Sequence, residues 1–379
     1  MLKYSPYGNY AAVCHNNATL TLLAVDESRR TLKRLSSASS TGTIRSIAFA
    51  PGNKYVVMSH YNQPQPYVYT ISESGVLSTA IRPPVGTPVT SDTTGNLRTE
   101  FSPDTNFLIT IGRNYPHVRI WQVNKDTDIF SFVSGTPQLT TDTSLSIAGR
   151  ALKVTKSGSN YYAFIGNDLS PYCFIYRINE TATSTLLNIN FAGINSEVTS
   201  LEIVNDANGN GKYLLVGTIT AGNYLQVYDI SQIASGTVSK LPNLDAASLL
   251  PGYPTSMELT LDKTELFTYH AGSPYISIFN VNANTGALTL QSPRFENSSS
   301  AAIAAPSTAN YDYNISVSNN KKLVSLARQG TDFSGLLRTY AIAQSISEVI
   351  EQTETDVFPV APATGTQALQ SVNGVVRWV

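Results

Sequence analysis

His15, His60 and His270, together with Arg113 and Arg328, each stand at the end of a strand-length apolar run, and Asn167 and Thr218 hold the matching place after two further runs. Imidazole and guanidinium groups brought to one place could bind an anion, a sugar or a metal ion. The alternative is that each side chain serves a wet loop and caps its own repeat. Both readings stay open, because a metal would need side chains converging at about 2.0–2.2 Å on one ion. Tyr61, Tyr115 and Tyr275, with Tyr67 and Tyr172, follow the same runs. Tyrosine joins apolar area to a polar tip, so this set could add a protein or glycan contact surface.

Other chemistries find less in the sequence. Hydrolysis of a lactone needs an acid/base group and a cation for the developing oxyanion, and Glu258 with Arg328 is one such pairing. The carboxylates Glu100, Asp104, Glu258 and Asp262 fall beside predicted first strands rather than in a paired motif. No Gly-x-Ser-x-Gly elbow and no glycine-rich phosphate loop occurs, and neither Cys14 nor Cys173 sits in a nucleophile motif. Asp206, Asn208 and Asn210 alternate like the first half of a calcium loop, but the twelfth position, where a chelating Glu is required, is Gly217. No cofactor is expected.

Composition narrows the partners. Charged residues make up 13% of the 379-residue chain and the net charge is -1, so nucleic-acid binding has no electrostatic basis. No apolar run of the length needed to span a bilayer exists. The opening residues lack the basic and apolar segments of a secretory leader, and the two distant cysteines are expected to be reduced thiols.

The elements that must position these residues recur seven times. Second strands begin at Tyr10, Tyr55, Phe107, Tyr162, Tyr213, Leu266 and Leu323. Third strands carry Leu23, Tyr69, Trp121, Tyr176, Tyr228, Phe279 and Tyr340 at one position. A large ring at a fixed place suits the wedge between two face-packed sheets. The repeat length fits a four-stranded blade of about 40 to 50 residues with longer loops. Outer-strand candidates are Thr31–Leu35, Val76–Ile81, Ile129–Val133 and Ala287–Leu290, and helical periodicity is almost absent, with 341–352 the best helical stretch. These units predict an all-β fold, a seven-bladed β-propeller over residues 1–358 with a short C-terminal extension at 359–379. Closure by one blade from each end and closure by a shared blade are both compatible with the pattern.

The repeats resemble WD-repeat and lactonase-type propellers. Phe101-Ser-Pro-Asp, Phe107-Leu-Ile-Thr and His117-Val-Arg-Ile-Trp-Gln-Val carry the first likeness, and Ile276-Ser-Ile-Phe-Asn-Val-Asn-Ala-Asn-Thr-Gly-Ala-Leu-Thr the second. Trp121 is followed by Gln122, so the Trp-Asp pair of WD repeats, and the His-to-Asp network that goes with it, is not implied. In the extension, Leu369, Val375, Val376, Trp378 and Val379 flank an Asn373-Gly374 turn, a hairpin signal. This segment is similar to the closing segments of bacteriophage virion proteins. The leading expectation is therefore a non-enzymatic structural propeller of a virion, binding other protein subunits through one face and its tail, with glycan or receptor contact as a further partner. Its location would be the virion, or the cytoplasm if the chain is not viral. The alternative expectation is a lactonase-like hydrolase acting on a sugar lactone at the mouth of the axial channel.

Overall fold

The computed structural model describes residues 1–15, 18–26, 28–29, 31–61, 63–84, 96–112, 117–133, 149–242, 250–272, 275–291, 313–321, 323–328, 336–341, 368–372 and 375–378. They form seven antiparallel sheets, each wound outward from an inner strand. The inner strands are Leu2–Tyr4, Ile44–Phe49, Asn96–Phe101, Gly149–Ser157, Val198–Asn205, Pro254–Leu259 and Tyr313–Val317. Each pairs with the following second strand, and five of those second strands end on His15, His60, Asn167, Thr218 and His270. In the second blade the outer strand is reduced to two bridges, Ile71 to Leu77 and Val68 to Ile81. Among the described residues the one helical element is a 3-10 turn, Ile233–Ser235. Ala341 ends a strand, and the rest of the stretch read as most helical lies outside the described residues.

The first hairpin of several blades turns by one device. The hydroxyls of Ser5, Ser102, Thr260 and Ser318 accept from the amides of Tyr10 (3.1 Å), Phe107 (2.9 Å), Glu265 (3.0 Å) and Leu323 (3.0 Å). Within these turns Thr105, Lys263 and Lys321 adopt left-handed φ values of 63°, 59° and 59°. A short side chain that bonds the backbone lets the chain reverse tightly there.

A single sheet cannot bury both its faces, so stability lies between blades. Seven apolar clusters occupy the seven seams, and the third-strand column supplies the wedge in six of them. Trp121 packs on Tyr55 and Val57 of the second blade, Tyr176 on Phe107 and Ile109 of the third, and Tyr228 on Tyr162 and Phe164 of the fourth. Phe279 packs on Tyr213 and Leu215 of the fifth blade. All four rings are fully buried. In each case the ring of one blade leans on the blade before it. Trp121 also donates its Nε1 proton to the carbonyl of Pro84 at 2.8 Å.

Among the described residues no C-terminal strand stands in for one of the first blade's four. The first blade is complete from N-terminal residues, and its inner strand lies against the seventh blade. At this seam the Tyr4 amide donates to Ser316 Oγ (3.1 Å) and the Tyr4 hydroxyl meets Ser325 Oγ (2.9 Å). The C-terminal extension docks on its own propeller: Ala368–Val372 pairs antiparallel with the outer strand Thr31–Ser39, placing Leu369 opposite Leu32. Val375–Trp378 folds back on it, with Val372 opposite Val375. Val379 lies outside the described residues.

Candidate functional site

The inner strands leave an axial channel lined by residues of all seven blades. Its chemistry is set by register. Counting back three places from the end of each second strand gives one level of the inner strands: Lys3, Ala48, Glu100, Lys153, Glu202, Glu258 and Ser316, paired with Ala12, Val57, Ile109, Phe164, Leu215, Phe267 and Ser325. Three carboxylates and two ammonium groups thus share one level. Lys153 Nζ lies 2.9 Å from Glu202 Oε1 across one seam, and Lys3 pairs with Glu258 across two. Glu202 is almost fully buried, and burial pushes its carboxyl well above the usual carboxylate range, against the pull of Lys153.

Nearer the mouth the inner strands are irregular. Five of them carry a β-bulge, at Ile44/Ser46, Asn96/Arg98, Gly149/Ala151, Val198/Ser200 and Pro254/Ser256. A bulge inserts a residue and re-aims its side chain. In the second and fourth blades the inserted residue is Arg45 and Arg150, and in the third Arg98 directly follows the bulge. All three line the channel. Each is braced. The Arg45 guanidinium lies over the Tyr61 ring at 4.9 Å, Arg98 Nη1 donates to the Arg45 carbonyl (3.2 Å), and Arg150 meets Glu197 (3.0 Å) and Asp168 (3.4 Å). Burial, and then the charges of Arg150 and Arg45, bring Arg98 down to about 10. Like charges held this close favour an anion among them.

Beside the arginines and above the floor the wall is polar and uncharged, with Ser46, Thr99, Thr199, Ser200, Thr255, Ser256 and Asn314 on it. The arrangement is therefore a cup with an arginine rim, a polar wall and a floor of carboxylates and lysines. It can receive an anionic polyol, polarise a carbonyl oxygen and accept a proton.

Two histidines of the sequence reading, His60 and His270, lie elsewhere. Both are fully buried and do not line the channel. His60 Nε2 is 2.7 Å from Ser40 Oγ, and His270 Nε2 is 2.9 Å from Ser277 Oγ. Burial pushes both imidazoles down to about 4, with Arg82 adding to the effect at His60 and the Gly272 backbone opposing it at His270. They are neutral struts at strand ends. His15 and Arg328 end their second strands, while Arg113 and Tyr115 lie outside the described residues. Tyr61 reaches the site by carrying Arg45, and Tyr275 packs at the seam of the sixth and seventh blades with φ 70°. The Asp206 carboxylate accepts from the amides of Asn208 (2.9 Å) and Asn210 (2.8 Å) and orders its own hairpin turn. Glu258, named in the sequence reading, is on the floor of the cup. Arg45, Arg98, Arg150, Lys153 and Glu202 were not singled out there. Their signal was a charge inside each otherwise apolar first strand, as in Gly149-Arg-Ala-Leu-Lys153 and Val198-Thr-Ser-Leu-Glu202.

The model of the lactonase, seven-bladed β-propeller family matches residues 4–305. The chain belongs to that family. No curated protein matches it. Among solved structures, a Bacteroides fragilis protein assigned as a 6-phosphogluconolactonase is 17% identical, with 76% of this chain and 82% of that one covered at a TM-score of 0.55. The periplasmic gluconolactonase of Pseudomonas aeruginosa is 14% identical, covering 77% and 84% at 0.56. The β-propeller domain of Myceliophteria thermophila Cps50 (Swd1) is 10% identical, covering 90% and 96% at 0.55. At these identities the likenesses carry the fold. The family match corrects the expectation of a non-enzymatic virion propeller. That reading rested on low charge, absent motifs and a short tail similarity, and the lactonase model covers most of the propeller instead. Nothing in the comparisons bears out the bacteriophage likeness or a virion location. Among the described residues no helix is long and apolar enough to cross a membrane.

Proposed function

We propose that the protein hydrolyses a sugar lactone in the axial channel, at the arginine-rimmed cup. The observation that carries this is the opening of three arginines from consecutive blades into the channel that holds Glu202 and Glu258. Membership of the lactonase propeller family supports it. An acidic sugar lactone, of the kind named for the Bacteroides fragilis protein, suits the rim best.

In this mechanism Glu202 takes a proton from water as the water oxygen bonds to the lactone carbonyl carbon. The carbonyl oxygen becomes an oxyanion and is stabilised by a rim guanidinium. Collapse breaks the ring C–O bond, and the proton held by Glu202 goes to the departing ring oxygen, giving the open hydroxy acid. A buried carboxyl with a raised pKa suits both transfers. The test is turnover by the purified chain, measured over the spontaneous rate with glucono-δ-lactone and its 6-phosphate. Turnover of the phosphate with lower KM, lost preferentially in Arg98→Met, is the expected result. No turnover of either lactone by the parent chain would overturn the proposal.

A further inference from the structure

The wall of the cup holds two kinds of polar side chain. One kind staples the blades. Ser46 Oγ accepts from the Thr99 amide (3.3 Å), Ser256 Oγ from the Ile315 amide (3.2 Å), and the Thr199 hydroxyl donates to the carbonyls of Gly217 (3.2 Å) and Pro254. The Thr255 hydroxyl donates to the Tyr269 carbonyl at 3.0 Å. The other kind has no hydrogen-bond partner among the described residues: Thr99 Oγ1, Ser200 Oγ and Asn314 Oδ1. Thr99 and Ser200 are 3% and 6% exposed. Buried polar atoms are almost always satisfied, and each exception needs a reason.

Register makes the exceptions a set. Ser200 and Asn314 sit opposite Gly217 and Ala327, one place back from the ends of their second strands, and Thr99 sits opposite Thr110, two places back. Ser200 and Asn314 therefore stand level with Arg98 of the rim and Thr99 one place deeper, all three above the Glu202 level, on the fifth, seventh and third blades. Three orphan groups on alternate blades, spread over two adjacent levels of a channel, match a ring bearing hydroxyls on several sides.

We infer that Thr99, Ser200 and Asn314 form a polyol-recognition subsite, in which the hydroxyls of a sugar-derived ring supply the partners these atoms lack, and that they select hydroxylated over plain lactones. The reaction in this inference rests on the hydrolytic reading above, whereas the binding does not. A site that hydrogen-bonds a substrate hydroxyl discriminates strongly against the analogue lacking it, because its own buried groups are then left unpaired.

The experiment compares the parent chain with Thr99→Val and Ser200→Ala on glucono-δ-lactone and on δ-valerolactone, and titrates gluconate into each by calorimetry. Each variant should lose about tenfold in kcat/KM on the hydroxylated lactone and less than about twofold on the plain one, with gluconate binding weakened about tenfold. Melting temperatures should hold or rise, since an orphan hydroxyl is being removed; a fall would mark a structural role. Equal losses on both lactones, or unchanged gluconate binding, would overturn the subsite. If the parent binds gluconate, the variants bind it more weakly and no lactone is turned over, the subsite stands and the hydrolytic proposal alone falls.

Discussion

The seams between blades and the channel along their axis are built from the same seven blades under opposite rules. At the seams one position is filled alike around the ring: Tyr69, Trp121, Tyr176, Tyr228 and Phe279 repeat one packing solution, and Leu23 completes it beside the seventh blade. In the channel one level reads Lys3, Ala48, Glu100, Lys153, Glu202, Glu258 and Ser316, with no two adjacent blades alike except the fifth and sixth. Closing a ring needs sevenfold sameness, whereas binding an asymmetric molecule needs that sameness broken. The protein meets both demands by assigning them to different strands of each blade.

Substitutions in the two regions should therefore separate stability from activity, and the largest separation is expected at the floor of the cup. Glu202→Gln should lower lactone turnover by about 100-fold or more, the range for losing a positioned acid/base group, while leaving the denaturation midpoint unchanged or raised. A similar loss in a variant of an exposed carboxylate such as Asp126 would dissolve the distinction. At the seams, Trp121→Ala should cost about 3–5 kcal/mol in urea unfolding through the cavity it leaves, with KM of the remaining folded enzyme little changed.

A smaller effect distinguishes the strand-end histidines from the site. His60 and His270 titrate near 4 in the fold and at about 6.5 when unfolded. Their folded values are depressed, so between pH 6.5 and 4 the unfolded chain binds protons that the fold refuses. Stability should fall on acidification across that window, by up to about 3 kcal/mol for each histidine. Denaturation curves at pH 7 and pH 4.5 measure the loss, and His270→Asn should reduce it. A flat profile in the parent would return these histidines to solvent. Smallest of all, Ser102→Ala should cost about 1–2 kcal/mol, the ordinary worth of one or two hydrogen bonds, since the Phe107 amide and Asp104 Oδ1 each lose the Ser102 hydroxyl as a partner.

The seams were far more legible in the sequence than the channel. A repeated aromatic beside apolar runs is a periodic signal, and Trp121 or Tyr228 announces its blade without knowledge of its neighbours. The sequence reading also marked the ends of the second strands, and the structure confirms those ends at His60, Asn167, Thr218 and His270. What periodicity could not supply was direction. A residue at a strand end can face the axis, the seam or solvent, and His60 turned to Ser40 within the protein. Arg45 and Arg150 were hidden for a second reason: bulges displace them by one place, so they do not align with the columns that revealed the blades.

By itself, then, the sequence determined that this chain is a seven-bladed propeller, because burying both faces of each short amphipathic sheet requires a closed ring of like units. The tertiary structure alone decided which polar residues meet. Lys153 and Glu202 are distant in sequence, and only the register of two neighbouring inner strands brings them to 2.9 Å. The same holds for the rim: three arginines on three blades become one anion-attracting site only when the ring closes and turns their strands toward a common axis.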